Sequence, residues 1–307
     1  MSIILTVESL TKNYGPLKAV DNISFSVSKG EVMGLLGPNG AGKTTAIRMI
    51  MGILPLDRGR VKFAFNKNET LDKSKIGYLP EERGLYDDTK VIDNLIYLAD
   101  LKNIPRTIAR NEAMEWLERF NLEDHAHHKL EKLSKGMQQK VQFIASILHR
   151  PEIVLFDEPF SGLDPINQEF VKDIIKELAN SGTTVLLSAH QMNLVEELCD
   201  NIFLIHQGKE VLSGSLADIK RDYREYVIKL LYDPGNNKEP LPTIPGARII
   251  QEKSGYLSMR YSGSASVNEL LEIIANNTAV EAITIEKPPL HEIFVETVKQ
   301  RGDNIAI

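Results

Sequence analysis

The 307-residue chain is 42% hydrophobic and 25% charged, an ordinary globular composition with room for one large domain and one small one. Its net charge of -6 and pI near 5.7 argue against a general electrostatic affinity for nucleic acid or acidic lipid. The lone cysteine, Cys199, excludes an internal disulfide framework, and no apolar run approaches the roughly 18 residues of a membrane-spanning helix. The N-terminus carries neither the basic nor the apolar part of an export signal, so any service to a membrane is expected to run through a partner.

Residues 3–10 read as a strand, and Ile23–Val27 alternates apolar and polar as a half-buried strand does. Between them stands Tyr14, an aromatic on which an adenine ring can stack. The apolar strand Val32–Leu36 then runs into Gly37-Pro38-Asn39-Gly40-Ala41-Gly42-Lys43-Thr44-Thr45, with a helix expected from Ala46. The loop fits Gly-x-x-x-x-Gly-Lys-[Ser/Thr] between the strand and helix that the pattern requires. Glycine lets the chain curl until several N–H groups converge on a polyphosphate, Lys43 adds a cation for the outer phosphates, and Thr44 offers a hydroxyl to Mg²⁺. This stretch therefore implies a bound nucleoside triphosphate.

Strands are expected at Val61–Phe65 and Ile76–Leu79, followed by the charged loop Pro80–Gly84. From Lys90 to about Phe120 the apolar residues recur every three or four positions, with Pro105 marking a break between two helices. The cluster His125, His127 and His128 lacks a recognised ligand spacing and reads as a solvated helix end. Leu133-Ser134-Lys135-Gly136-Met137 leads into a helix bearing Val141, Ile144, Ala145 and Leu148 on one face, and Ser134 by itself is an N-cap. The apolar strand Ile153–Phe156 delivers Asp157 and Glu158 to its C-terminal end, where α/β sheets hold ligands. Asp157 suits a metal and Glu158 suits the orientation or deprotonation of water. After a helix opened by Pro165, the strand Thr183–Ser188 ends at His190, placed to touch a terminal phosphate.

In order and spacing, Gly37–Thr45, Leu133–Gln138, Phe156–Pro159, Ser161–Asp164 and His190 resemble the ATPase subunit of ATP-binding cassette (ABC) transporters, over about residues 1–215. The resemblance implies an α/β fold: a P-loop NTPase sheet with an antiparallel β subdomain and a helical insertion at about 85–150, plus a small α+β domain at 216–307 like that of drug- and sodium-exporter subunits. It implies ATP and Mg²⁺ held by Tyr14, the Gly37–Thr45 loop, Ser134 and Gly136, with Thr44, Glu81 and Asp157 at the metal and Glu158 and His190 catalytic. Ser134 and Gly136 are implied to act across a head-to-tail homodimer or heterodimer, and Ser161–Asp164 to link its two sites. The implied partner is an integral-membrane permease, most consistent with an exporter, holding the ATPase at the inner face of the cell membrane. A soluble cassette ATPase acting on ribosomes or DNA is the rival class. Against it stand the acidic pI and the lack of a coiled-coil insertion between Lys43 and Ser134, so no nucleic-acid partner is expected.

Two departures from the family pattern stand out. Lys135 and Met137 replace Gly and Gln in the signature loop, and Glu81 stands where most members carry a metal-contacting Gln. A carboxylate beside phosphates needs an offsetting cation, from Arg83 or the metal, so Glu81 is expected to change metal dependence and coupling while hydrolysis persists.

Overall fold

The computed structural model describes residues 2–66, 71–82, 84–234, 244–277 and 280–300. Arg83, expected to offset Glu81, and most of the Pro234–Pro245 turn lie outside the described residues. The chain separates into two compact units, Met1–Gly214 and Ser215–Ile307.

The first unit opens with β1 (Ile3–Tyr14), β2 (Leu17–Ser28) and β3 (Val32–Leu36), then α1 (Lys43–Ile50), β4 (Arg58–Phe63) and β5 (Ile76–Leu79). β1 lies between β2 and β4 in an antiparallel sheet, in register Leu10↔Ile23 and Val7↔Val61. Helix α1 starts at Lys43, three residues before the expected Ala46. Gly42, at φ +110°, makes a left-handed turn and caps the helix, so the backbone is helical directly behind it.

The helical insertion comprises α2 (Val91–Asp100), α3 (Arg106–Arg119) and α4 (Lys135–Ile147). It is followed by β6 (Ile153–Asp157), α5 (Pro165–Asn180), β7 (Thr184–Ala189), α6 (Met192–Leu198), β8 (Asn201–His206) and β9 (Lys209–Ser215). The second sheet has the order β5-β6-β7-β3-β8-β9, and β5, β6, β7, β3 and β8 pair in parallel. Its central strands are buried on both faces, which is why they read as continuous apolar runs. The β8–β9 hairpin turns on Gln207 and Gly208, both at positive φ, as a two-residue turn with the twist of its strands requires.

One hydrophobic core joins the two sheets through α1, whose Ala46, Ile47 and Ile50 pack with Leu5, Val7 and Leu10 on one side and Leu35, Leu155 and Phe203 on the other. The insertion is tied to this core by aromatics. Phe143 of α4 stacks on Phe156 of β6 at 4.8 Å, and Phe120 meets Phe143 at 5.8 Å and Phe170 of α5 at 4.9 Å. Burial of each such ring contributes about 1.5–3 kcal/mol. The expected apolar stripe of α2 is only partly covered: Val91 and Leu95 are fully buried, whereas Leu98 is half-buried and Leu101 is 62% exposed. Leu98 and Leu101 border an open groove with Tyr78, Pro80, Leu85 and Ala145.

The second unit contains α7 (Leu216–Asp222), β10 (Tyr226–Tyr232), β11 (Ala247–Lys253), β12 (Tyr256–Tyr261), α8 (Val267–Asn277), β13 (Val280–Glu286) and α9 (Leu290–Gln300). Its antiparallel sheet has the order β11-β12-β10-β13. Ile228, Leu230, Leu257 and Met259 form a core with Leu270 and Ile274 of α8. The alternate residue Arg260 reaches Glu292 and Glu296 of α9, which places that helix on the opposite face.

His149 follows α4 and is 8% exposed, donating its Nε2–H to the Ile76 carbonyl at 3.1 Å. Burial, then the nearby Lys102 ammonium, pushes its pKa down to about 4. The folded chain thus keeps the imidazole neutral, whereas the unfolded chain protonates it near pH 6.5. Its contribution is present above pH 6.5 and lost as pH falls towards 4. Denaturant unfolding of wild type and His149→Gln at pH 7 and pH 5 should therefore converge, the stability difference shrinking by about 2 kcal/mol at the lower pH.

Candidate active site

The C-terminal ends of β3, β6 and β7 lie side by side in the parallel sheet, and the polar residues that follow them converge. After β3 the loop turns so tightly that a Cβ on Gly37 would stand 2.2 Å from the Ile205 carbonyl oxygen, and one on Gly42 would stand 2.3 Å from that of Ala19. Only glycine fits at either place. The loop delivers Lys43 and Thr44 into the first turn of α1, where backbone N–H groups lack intrahelical partners and the helix dipole favours an anion.

The Lys43 side chain is 6% exposed, and its ammonium donates to the carbonyls of Gly37 at 2.8 Å and Pro38 at 3.2 Å. It also lies 3.4 Å from Glu158 Oε1. Asp157, fully buried at the end of β6, accepts from the Thr44 hydroxyl at 3.2 Å and from Ser188 Oγ at 2.6 Å, both on Oδ1. Its Oδ2 is buried with no hydrogen-bond partner among the described residues. A buried carboxylate oxygen left without a donor is costly unless something else approaches it. All the donors here are oxygens, so Thr44 and Asp157 fit a hard divalent cation such as Mg²⁺.

Glu158 sits at φ +55°, an uncommon conformation for a residue with a side chain. Ser188 Oγ accepts its N–H at 3.0 Å, and its Oε2 meets His190 Nδ1 at 2.9 Å. One hydroxyl, on Ser188, therefore fixes both consecutive carboxylate residues. Ser188 was not singled out from the sequence, although a lone hydroxyl at the end of the apolar run Val185–Leu187 is the signal that marks it.

A cleft of about 370 Å³ runs over this cluster. Its walls include Tyr14, Leu17, Asn39 to Thr45, Glu81 and Glu158, so the strand-end aromatic, the phosphate loop and both glutamates face one space. Tyr14 is 49% exposed at the cleft mouth, with the Lys12 ammonium 5.9 Å from its ring centre. The β8–β9 turn contributes Gln207 and Gly208, a wall absent from the sequence expectations, and the Gly208 N–H braces the loop by donating to the Ala41 carbonyl at 3.0 Å.

Ser134 and Gly136 are not among the described residues lining this cleft. Ser134 caps α4, its hydroxyl accepting from the Met137 N–H at 3.3 Å. Gly136 stands beside Gly162, in the loop that opens α5. Gln138, one position after the Met137 that replaces the usual Gln, is buried and donates to the carbonyls of Leu130 and Leu133.

Residues 20–161 match the ABC transporter family, and residues 214–298 match the C-terminal domain of the ATP-binding protein DrrA1-3-like family. The ABC transporter ATP-binding protein YhaQ of Bacillus subtilis (strain 168) is 40% identical over 295 residues, covering 96% of this chain and 98% of its own. The chain belongs to the ABC transporter ATP-binding proteins. It is accordingly an ATPase, with a P-loop fold carrying an antiparallel β subdomain. The linearmycin resistance ATP-binding protein LnrL of the same organism is 32% identical over 302 residues, covering 95% of this chain and 97% of its own. Among solved structures, a dimeric ATP-binding cassette in a post-hydrolysis state bound to ADP and Pi matches with a TM-score of 0.64 at 25% identity, over 69% of this chain and 99% of that one. Among the described residues of this ABC ATPase, no helix is long and apolar enough to cross a membrane.

Removing the Ser188 hydroxyl takes the acceptor from the Glu158 N–H and leaves Asp157 Oδ1 with the longer Thr44 hydrogen bond alone. Ser188→Ala should lower unfolding free energy by about 1–3 kcal/mol, measured by urea titration.

Proposed function

We propose that the chain is the ATP-hydrolysing subunit of an exporter, driving a separate membrane permease through ATP-dependent closure of a head-to-tail dimer. The observation that carries this reading is the contact network that brings Lys43, Thr44, Asp157, Glu158 and His190 together beneath one cleft, while Ser134 and Gly136 lie outside it. A site so divided is completed by the α4 N-terminus of a second copy, or of a related subunit, over the outermost phosphate.

In this reading ATP stacks its adenine on Tyr14 and lays its phosphates along Gly37–Thr45, with Lys43 between the outer two. Thr44, Asp157 and Glu81 are the residues that would hold Mg²⁺, which would supply charge neutralisation on the phosphates. Glu158 orients the attacking water and accepts its proton, and His190 holds the Glu158 carboxylate while facing the γ-phosphate. The strained backbone at Glu158 supports the assignment, because such conformations persist where the surrounding structure fixes a group for chemistry.

The groove beside α2 supports the permease as partner. Leu101 borders it at 62% exposure, and nearby Tyr86 and Tyr97, 52% and 42% exposed, pack edge-on at 5.7 Å. Exposed apolar groups of this kind fit a helix presented by a membrane subunit. The name of LnrL and the DrrA1-3-like C-terminal match support export. We assign residues 1–215 to the ATPase domain and 216–307 to an accessory domain for dimerisation or stability. The ATPase then sits at the cytoplasmic face of the membrane through its permease, which selects the cargo.

Glu158→Gln should lower the ATPase rate about 10²–10⁴-fold with ATP binding retained. Purified with ATP from detergent-solubilised native membranes, this variant should bring down a multi-spanning protein. Ribosomal or DNA-bound companions alone would contradict the transporter reading, and an unchanged rate would remove Glu158 from the chemistry.

A further inference from the structure

Gln142 lies in the middle of α4, 4% exposed, between the buried apolar residues Val141 and Phe143. A polar side chain at such a position adds less packing than leucine and has to be satisfied by hydrogen bonds. Its amide nitrogen makes the bonds that matter here. Its Nε2 donates to the carbonyl of Pro80 at 3.2 Å and to the carbonyl of Glu82 at 3.0 Å. Because both acceptors are carbonyls, the NH₂ end must face them, and it uses both of its hydrogens.

Those two carbonyls flank Glu81. The loop after β5 is therefore gripped on either side of Glu81, which among the described residues of this loop is the one that lines the nucleotide cleft. The Glu81 side chain itself is exposed, and the Glu82 carboxylate points away to Arg48 of α1 at 3.7 Å. No other side-chain hydrogen bond holds the described backbone from Pro80 to Glu82, so the Gln142 carboxamide carries its side-chain anchorage.

We propose that Gln142 is a positioning residue for Glu81, holding the loop backbone so that the Glu81 carboxylate stays directed at the metal beside Thr44 and Asp157. It touches neither nucleotide nor metal. The tie also links the metal-facing loop to the helix capped by Ser134, about two turns nearer its N-terminus. Glu81 and the α4 N-terminus thereby share one rigid element. This inference rests on the assignment of Glu81 to the metal site.

The readout is binding. The affinity for adenylyl imidodiphosphate is measured by calorimetry on the full chain with and without Mn²⁺, and the ratio gives the factor by which metal tightens nucleotide binding. Gln142→Met keeps the length and loses both donors. It should reduce that factor at least threefold while leaving the metal-free affinity unchanged, and in a Glu81→Ala background it should reduce it no further. If Glu81→Ala lowers the factor but Gln142→Met does not, or lowers it equally in both backgrounds, Gln142 does not act through Glu81 and the inference fails while the assignment of Glu81 stands. If Glu81→Ala leaves the factor unchanged, the assignment fails and takes the inference with it. Gln142→Leu, which also loses both donors, is read by the same criteria should the methionine variant not fold.

Discussion

The Asp157 carboxylate is carried to the end of an apolar strand and buried there with one oxygen bonded and the other without a donor among the described residues. An arrangement of that kind is stable only if the rest of the sheet is rigid enough to hold it, and much of the fold serves that end. β7 supplies Ser188 at the matching height because Asp157 pairs with Ser188 in the parallel register. α1, packed between two sheets, brings Thr44 from the other side. Phe156, the residue before Asp157, is locked beneath Phe143, so the helical insertion is fastened to the strand that bears the carboxylate. The same register that pairs Asp157 with Ser188 leaves Glu158 one step beyond the ladder, where the chain bends into a left-handed conformation and turns its side chain towards Lys43 and His190.

What was legible in the sequence follows from how locally each feature is determined. The phosphate loop could be read because glycine spacing, an apolar strand and a helix dictate it within a short stretch, and Gly37 and Gly42 meet the backbone contacts that demand glycine. β3, β5 and most of β6 were legible as apolar runs bounded by polar residues. The helix start at Lys43 was placed late because the turn at Gly42, and not side-chain periodicity, sets it. The Gln207–Gly208 wall of the cleft could not be read, since it reaches the phosphate loop only through sheet order, with β8 falling beside β3. Gln142 escaped for a related reason: its partners lie some sixty residues earlier, and only the packing of α4 against β5 brings them together.

The C-terminal unit shows the same limit. The pairing order β11-β12-β10-β13 of its sheet has no local signature in the sequence. The set of Arg260 with Glu225, Glu292 and Glu296 joins the sheet to α9 and emerges only from that order. Its charges are partly exposed, which fits a structural tie better than chemistry.

The central claim is that one chain holds the nucleotide, metal and water-activating groups, and that a second must supply the cover over the outer phosphate. The most direct measurement is the solution mass of the full-length Glu158→Gln protein by sedimentation, with and without ATP and Mg²⁺. The account predicts a monomer that becomes a dimer when ATP is added, and a dimer that fails to form when Lys43 is also changed to Ala. A Glu158→Gln protein that stays monomeric with saturating ATP would contradict it.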